Sequence, residues 1–226
     1  MPRVAYQSDL DALREDVLYM SELVLDRFRS ALSALEQGDE SLACDVIDGD
    51  DEINDLYLEL ESDCVDLIAL QQPVASDLRF IAASFKILTD LERVGDLAAN
   101  LATYSLAADQ NTFPAVDIQT IDTVVGEMVE DAMVAYAEAD TALCYALAER
   151  DNAVDDQCVA ASETVVSELL RRDGPTASEE LDHERLLDDV SRLLLTIRDL
   201  ERVGDHAANI AARTVYMVEN DAGLLY

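Results

Sequence analysis

Apolar residues recur at alternating intervals of three and four along most of this chain. The first long stretch shows the pattern in the stripe Leu10, Leu13, Val17, Met20, Val24, Phe28, Ala31 and Leu35. Such spacing places apolar side chains on one face of a helix that packs in a bundle, whereas a strand would alternate every second residue. The pattern therefore predicts an all-α protein.

Glycine and proline indicate where the predicted helices end. Only seven glycines and four prolines occur in 226 residues, so long stretches contain neither helix breaker. Breaks at Gly38, Pro73, Pro114 and Pro175 help to divide the chain into six long helices. These predicted helices span residues 8–37, 39–71, 76–108, 116–138, 140–172 and 178–219.

One eleven-residue segment occurs twice, at residues 90–100 and 199–209, and we call it the signature segment. Ten of its eleven positions match, and the copies lie 199 − 90 = 109 residues apart, close to half the chain. The match extends upstream at an offset of 101, where Asp50 aligns with Asp151. This duplication predicts two tandem pseudo-symmetric three-helix bundles. The corresponding domains are residues 1–111 and 112–226.

Each signature segment carries a glutamate and an aspartate four residues apart, which places both carboxylates on one helix face. They are Glu92 and Asp96 in the first copy and Glu201 and Asp205 in the second. Like charges at this spacing destabilise a helix by a few tenths of a kcal/mol, roughly. A pair that occurs twice requires a compensating cation, and the neighbouring Arg93 and Arg202 supply one in part.

The preceding helix of each unit carries a second polar pair. In an antiparallel hairpin, residues equidistant from the turn lie at the same level. In the first unit Asn54 and Glu92 average to position 73, as do Asp50 and Asp96, and Pro73 occupies the turn. The hairpin therefore brings these four oxygen-bearing side chains together.

The second unit repeats this arrangement. Asp155 with Glu201 and Asp151 with Asp205 both average to position 178, near the predicted turn. Carboxylates that cluster without lysine form a site for a hard cation. The alternative is that these acids belong to a solvated acidic surface on a metal-free helical scaffold.

The charge balance limits the partners that the protein can bind. Fifteen basic and 49 acidic residues give a formal charge of −34 and a pI near 4.1. Such a chain lacks the basic patch that nucleic acid or an anionic membrane requires. The acids are spread along the whole chain, which is typical of proteins from halophiles, where salt screens self-repulsion.

The four cysteines form neither a C-x-x-C motif nor a zinc-ligand spacing. No apolar run approaches about 18 residues, and the N-terminal stretch does not resemble a secretory signal. We therefore expect a cytoplasmic protein with reduced thiols and no direct membrane insertion.

Three further features bear on possible chemistry. No Glu-x-x-His occurs in either signature segment, which argues against a ferritin-type di-iron centre. His206 lies beside the apolar face and is expected to be a hydrogen-bonded packing residue rather than a ligand. Gly95 and Gly204 lie between the carboxylates, where a missing side chain permits either close helix packing or access of a cation.

An enzymatic alternative rests on the acids that begin the second helix. Asp50-Asp51 together with Asn54-Asp55 resembles the aspartate-rich magnesium motif of all-α isoprenoid synthases. That chemistry needs a large apolar cavity, for which two small bundles leave little room.

Several motifs together resemble those of the PhoU family, and the resemblance spans nearly the whole chain. They are Asp50-Asp-Glu-Ile-Asn54, Gln72-Pro-Val-Ala-Ser-Asp-Leu-Arg79 and both copies of Leu-Glu-Arg-Val-Gly-Asp. The resemblance implies a non-enzymatic homodimer that represses phosphate uptake and phosphate-starvation signalling. Its partners would be the ATPase subunit of a phosphate ABC transporter and, where present, a sensor kinase.

The resemblance also implies multinuclear metal clusters on E/D-x-x-x-D motifs, often of iron, with zinc or another divalent cation as alternatives. The ligands that it implies are Asp50, Glu92 and Asp96 in the first unit and Asp151, Asp155, Glu201 and Asp205 in the second. Asn54 stands where the family pattern prefers an acid, so we expect the first cluster to bind metal more weakly.

The charge of the chain leads to a prediction about salt. Because ions screen repulsion among exposed carboxylates, the unfolding temperature should rise as potassium chloride increases from millimolar to molar concentration. Thermal unfolding followed by circular dichroism measures this change. An unfolding temperature that does not depend on salt would contradict the interpretation.

Overall fold

The computed structural model describes residues 3–106, 116–171 and 180–224. Every secondary-structure element in these ranges is a helix, which confirms the all-α prediction. The helices are α1 Arg3–Gln37, α2 Glu40–Asp48, α3 Asp50–Gln71, α4 Ala75–Ser105, α5 Ile118–Glu138, α6 Thr141–Arg171 and α7 Glu180–Glu219.

The ends of the helices show the duplication in detail. Gly38 ends α1 in the left-handed conformation at φ 65°, and Ala139 ends α5 in the same conformation at φ 57°. The next residue caps the following helix in each repeat: Asp39 Oδ1 accepts from backbone N–H groups of α2, and Asp140 Oδ1 accepts from that of Leu143. A left-handed residue followed by a capping aspartate therefore occurs in both repeats, 101 residues apart.

The predicted helix over residues 39–71 is interrupted at Gly49, which separates α2 from α3. The guanidinium of Arg27 lies against this glycine, where a Cβ would collide with it. Arg27 donates to the Val46 carbonyl at 3.1 Å and to the Glu52 carboxylate at 3.3 Å. The prediction of one continuous helix was wrong here, because Arg27 from α1 binds the Val46 carbonyl, which would accept from the N–H of Asp50 in a continuous helix.

The second repeat has no such interruption, since α6 is continuous. Arg150 stands at the position that matches Gly49. Its guanidinium reaches back to α5, where it binds Asp131 at 2.7 Å and Glu127 at 3.1 Å. The arginine thus belongs to α1 in the first repeat and to α6 in the second.

The helices form the two predicted three-helix bundles. Helices α1, α3 and α4 pack together, with α2 against α1 and α4, and α5, α6 and α7 form the second bundle. Helices α4 and α7 pack on each other and join the bundles, while α3 and α6 each contact only helices of their own bundle. The predicted division at residues 111/112 and the linker around Pro114 fall outside the described residues, as does the turn around Pro175.

The apolar stripes form the core as the pattern predicted. In α1 the stripe from Leu10 to Ala31 is buried, and only Leu35 at its end is partly exposed. The signature segments contribute side chains with no exposed surface: Leu91, Val94, Ala98 and Leu101 from α4 and Leu200, Val203, Ala207 and Ile210 from α7. No helix in the described ranges is long and apolar enough to cross a membrane.

Two reciprocal hydrogen bonds join α4 to α7. The first residue of each signature segment is a buried aspartate, Asp90 at 8% exposure and Asp199 at 3%. Asp90 Oδ1 lies 2.9 Å from Nδ1 of His206, and the hydroxyl of Tyr104 donates to Asp199 Oδ2 at 2.9 Å. Each repeat thus supplies a hydrogen-bond partner for the buried aspartate of the other. His206 is hydrogen-bonded and packed between the helices, as the sequence predicted.

The hydrogen bond from Tyr104 to Asp199 should make a measurable contribution to the free energy of unfolding. Burial, followed by this hydrogen bond to Asp199, raises the pKa of Tyr104 to about 12. Tyr104→Phe leaves a buried carboxylate oxygen without its donor, so the free energy of unfolding should fall by about 1–2 kcal/mol. Urea unfolding measures the change.

Tyr57→Phe serves as the control, because that hydroxyl makes only a long bond of 3.4 Å to Glu61 within its own helix. Equal effects of the two substitutions would show that the bond between the repeats contributes nothing.

Candidate metal centre

The second repeat brings three carboxylates to one point between α6 and α7. One oxygen each from Asp151, Asp155 and Asp205 lies within 4.8 Å of the others. The i, i+4 spacing aligns the first two on α6, and the antiparallel packing of α7 brings Asp205 to the same level. Glu201 is close enough to act electrostatically on Asp151. We call these four residues the second acidic cluster, and their proximity is as the hairpin register predicted.

One oxygen of this cluster has no hydrogen-bond partner although it is buried. Asp151 Oδ1 has almost no accessible surface and accepts no hydrogen bond. A Cβ added at Gly204 would lie 3.5 Å from this oxygen, so the glycine leaves its approach open. Burying a carboxylate oxygen without a partner is costly, and a cation bound there would remove that cost.

A cavity large enough for an ion and its water ligands lies beside the second acidic cluster. It has a volume of about 490 Å³, and its lining includes Asp151, Asp205, Arg202, His206 and Asn209. Its polar lining suits a hydrated ion better than an apolar ligand.

The carboxylates of the second acidic cluster raise one another's pKa. Burial raises the pKa of Asp151 to about 6, and the charges of Asp155, Asp205 and Glu201 add to this rise. Burial and Asp155 also raise the pKa of Glu201 and of Asp205. The cluster therefore holds negative charge at neutral pH against its own repulsion.

Among the described residues, no arginine forms an ion pair with the second acidic cluster, although the charges of Arg202 and Arg198 act on it from a distance. Arg202, which was expected to supply a cation, pairs instead with Asp199 at 3.4 Å. Cys158 lies nearby, but burial and the adjacent carboxylates raise the pKa of its thiol to about 12, so it stays protonated. The second acidic cluster therefore offers carboxylate oxygens, rather than a thiolate, to a cation.

The first repeat brings Asp50, Asn54, Glu92 and Asp96 together, and we call them the first acidic cluster. Burial raises the pKa of Asp50 first, with the charge of Asp96 next, which shows that α3 and α4 meet here as predicted. The amide of Asn54 donates to Asp50 Oδ2 at 3.1 Å. Arg93 binds Asp96 at 3.0 Å and Glu92 at 3.5 Å.

The two clusters therefore differ in how their charge is balanced. In the first, an amide and an arginine already occupy carboxylate oxygens, and Gly95 faces Ile53, whose methyl groups lie 3.2 and 3.3 Å from an added Cβ. Gly95 therefore allows α4 to pack closely on α3, whereas Gly204 lies beside the carboxylate of Asp151. The donor set of the second acidic cluster thus fits an oxygen-preferring cation, and the set of the first fits one less well.

The structure brings the eight residues predicted from the sequence together in two groups of four, but the sequence did not reveal two features of these groups. Arg93 and Arg202 were expected to be equivalent, and only Arg93 binds its cluster. The roles of Asp90 and Asp199 were also missed, although their identical places in both copies were a usable signal.

The fold and site define a class of protein: a tandem repeat of three-helix bundles with a duplicated acidic cluster between the last two helices of each. The model of the PhoU domain matches residues 17–105 and 118–214. The chain belongs to the PhoU family.

Similar proteins carry names from phosphate transport. A phosphate-specific transport system accessory protein PhoU homolog from Pseudomonas aeruginosa is 32% identical over 216 residues, covering 94% of this chain and 85% of the relative. One from Clostridium acetobutylicum is 32% identical over 221 residues, covering 96% of each.

Two solved structures share the whole fold. The crystal structure of PhoU from Pseudomonas aeruginosa superposes with a TM-score of 0.86 at 31% identity, covering 96% of this chain and all of that one. The crystal structure of the phosphate transport system regulatory protein PhoU from Streptococcus pneumoniae superposes with a TM-score of 0.83 at 28% identity. The match covers 96% of this chain and 98% of that one. These names favour an accessory protein over the isoprenoid-synthase alternative.

The raised pKa of Asp151 leads to a prediction about the metal-free protein. An acid whose pKa is higher in the folded state destabilises that state above this pKa, and the penalty disappears below the unfolded value of 3.8. In a chelator at pH 8, Asp151→Asn should therefore be more stable than wild type by about 1–2 kcal/mol. The difference should shrink towards zero as the pH falls from 6 to about 4.

Denaturant unfolding across this pH range measures the effect. Asp156→Asn, at an exposed position on the same helix, is the control and should change stability by less than about 0.5 kcal/mol. A metal-free Asp151→Asn protein that is less stable than wild type at pH 8 would refute the prediction.

Proposed function

We propose that the second acidic cluster binds metal ions, with Asp151, Asp155, Glu201 and Asp205 as ligands. The buried oxygen of Asp151 without a partner is the observation that supports this most directly. The ion would be iron in a multinuclear cluster, or another divalent cation that accepts oxygen ligands. Asp50, Glu92 and Asp96 form a weaker site, because Asn54 and Arg93 already bind their oxygens.

Metal content tests this proposal. Protein purified without a histidine tag should contain bound metal by elemental analysis, and Glu201→Ala and Asp205→Ala should each lose most of it. Glu163→Ala, at an exposed position of α6 beyond the cluster, should keep the wild-type content. Equal metal content in all four proteins, or none in any of them, would refute the proposal.

We propose further that the protein acts by binding rather than by catalysis, as a negative regulator of phosphate uptake and phosphate-starvation signalling in the cytoplasm. The match to the PhoU domain across both repeats supports this, together with the accessory and regulatory names of its relatives. Its partner would be the ATPase subunit of a phosphate ABC transporter and, where one is present, a sensor kinase. It would act as a homodimer, and its charge of −34 disfavours nucleic acid as a partner.

Deletion of the gene tests the regulatory role. In phosphate-rich medium the deletion strain should take up more phosphate and express its phosphate-starvation genes, and the wild-type gene should restore repression. Complementation with Glu201→Ala, and with Glu138→Ala at an exposed position of α5 as control, shows whether repression needs the second acidic cluster. Unaltered uptake and gene expression in the deletion strain would reject the role.

A further inference from the structure

The outer face of α3 carries apolar side chains that the fold leaves in solvent. Leu58 is 58% exposed and Val65 is 52% exposed, and Ala69 continues the row. Their spacing of i, i+7 and i+11 places them in one stripe about 16 Å long. The opposite face of α3, which includes Leu60 and Cys64, packs on the core.

The outer face of α6 carries the same stripe. Val159 is 56% exposed, Val166 is 44% exposed and Leu170 is 79% exposed, at positions 101 residues after those on α3. Single exposed apolar residues are ordinary on a protein surface and need no explanation. A row of three that recurs at matching positions on two outer helices is a feature of the repeat unit.

No other described helix covers these faces. Helix α3 packs on α1, α2 and α4, and α6 packs on α5 and α7, so both stripes point away from the rest of the molecule. We call them the α3 stripe (Leu58, Val65, Ala69) and the α6 stripe (Val159, Val166, Leu170).

The charge around the stripes restricts what can bind them. Helix α3 contains eight acidic residues and no lysine or arginine. Helix α6 contains six acidic residues and two arginines, of which Arg171 follows Leu170 and pairs with Glu168. Glu61 and Asp55 flank the α3 stripe, as Glu163 and Asp156 flank the α6 stripe. A second copy of this chain would bring another row of acids, and an anionic membrane would likewise be repelled.

We propose that the α3 and α6 stripes are two equivalent docking surfaces, each of which takes one basic amphipathic helix of a partner protein. Apolar residues of that helix at i, i+3/i+4 and i+7 cover the stripe, and its lysines and arginines pair with the flanking acids. One molecule then binds two such helices, one on each bundle. The inference does not depend on the proposed regulatory role, because it concerns surfaces outside the acidic clusters.

A designed peptide tests the proposal on the full-length protein. The probe is an 18-residue helical peptide with leucines at heptad spacing and lysine and arginine elsewhere, and the matched peptide has serine in place of leucine at the same charge. Calorimetry in about 0.5 M potassium chloride suppresses non-specific attraction. We expect two leucine peptides to bind per protein, and the serine peptide to bind at least about tenfold more weakly.

Protein variants then assign the two sites. Leu58→Ser with Val65→Ser, and separately Val159→Ser with Val166→Ser, should each reduce the stoichiometry from two to one, and the combined variant should bind neither peptide. Val134→Ser, on α5 outside both stripes, is the control and should bind two. Amide hydrogen exchange of the wild-type protein should show protection of α3 and α6 on saturation, which tests the assignment without any variant.

Four results would overturn the proposal. The first is binding of two peptides by the stripe variants, as by wild type. The second is a serine peptide that binds as well as the leucine peptide, which would mean electrostatic adhesion alone. The third is self-association in sedimentation that the stripe variants abolish, which would make a second copy the occupant. Absence of any peptide binding would overturn it equally.

Discussion

The packing of α4 against α7 is the contact on which the rest of the structure depends. Helices α4 and α7 pack on each other, and each buries the first residue of its signature segment, Asp90 or Asp199, in a hydrogen bond across the interface. The glutamate and aspartate of each signature segment meet the acidic residues of the outer helix, α3 or α6. The same two helices therefore carry both the central contact and half of each acidic cluster.

The buried and partly buried carboxylates differ in whether their oxygens have hydrogen-bond partners. Asp90 and Asp199 form hydrogen bonds with groups from the other repeat, so they strengthen the junction. Asp151 has an oxygen with no such partner, and burial, followed by the charges of its acidic neighbours, raises its pKa. The buried Asp90 and Asp199 have hydrogen-bond partners, whereas this oxygen of Asp151 has none. The cost of burying an unpaired carboxylate oxygen therefore falls on a residue that lines a cavity. That distribution is typical of a site that is completed by a ligand.

Much of this architecture could be predicted from the sequence, because it depends on periodicity. The three-and-four spacing predicted the helices, and the i, i+4 pairs with the hairpin register predicted which acids meet. The interruption at Gly49 could not be predicted, since it depends on the Arg27 guanidinium from another helix. The different partners of Arg93 and Arg202 were equally inaccessible, because identical local sequences leave the direction of a long side chain to its tertiary surroundings.

The difference between Gly49 and Arg150 has a consequence for substitutions in either repeat. In the first repeat an arginine from α1 lies against the glycine, and in the second an arginine from α6 reaches α5. An arginine placed at position 49 alone would compete with Arg27 for the same space. A residue of one repeat can therefore be transferred to the other only together with the partners that it contacts.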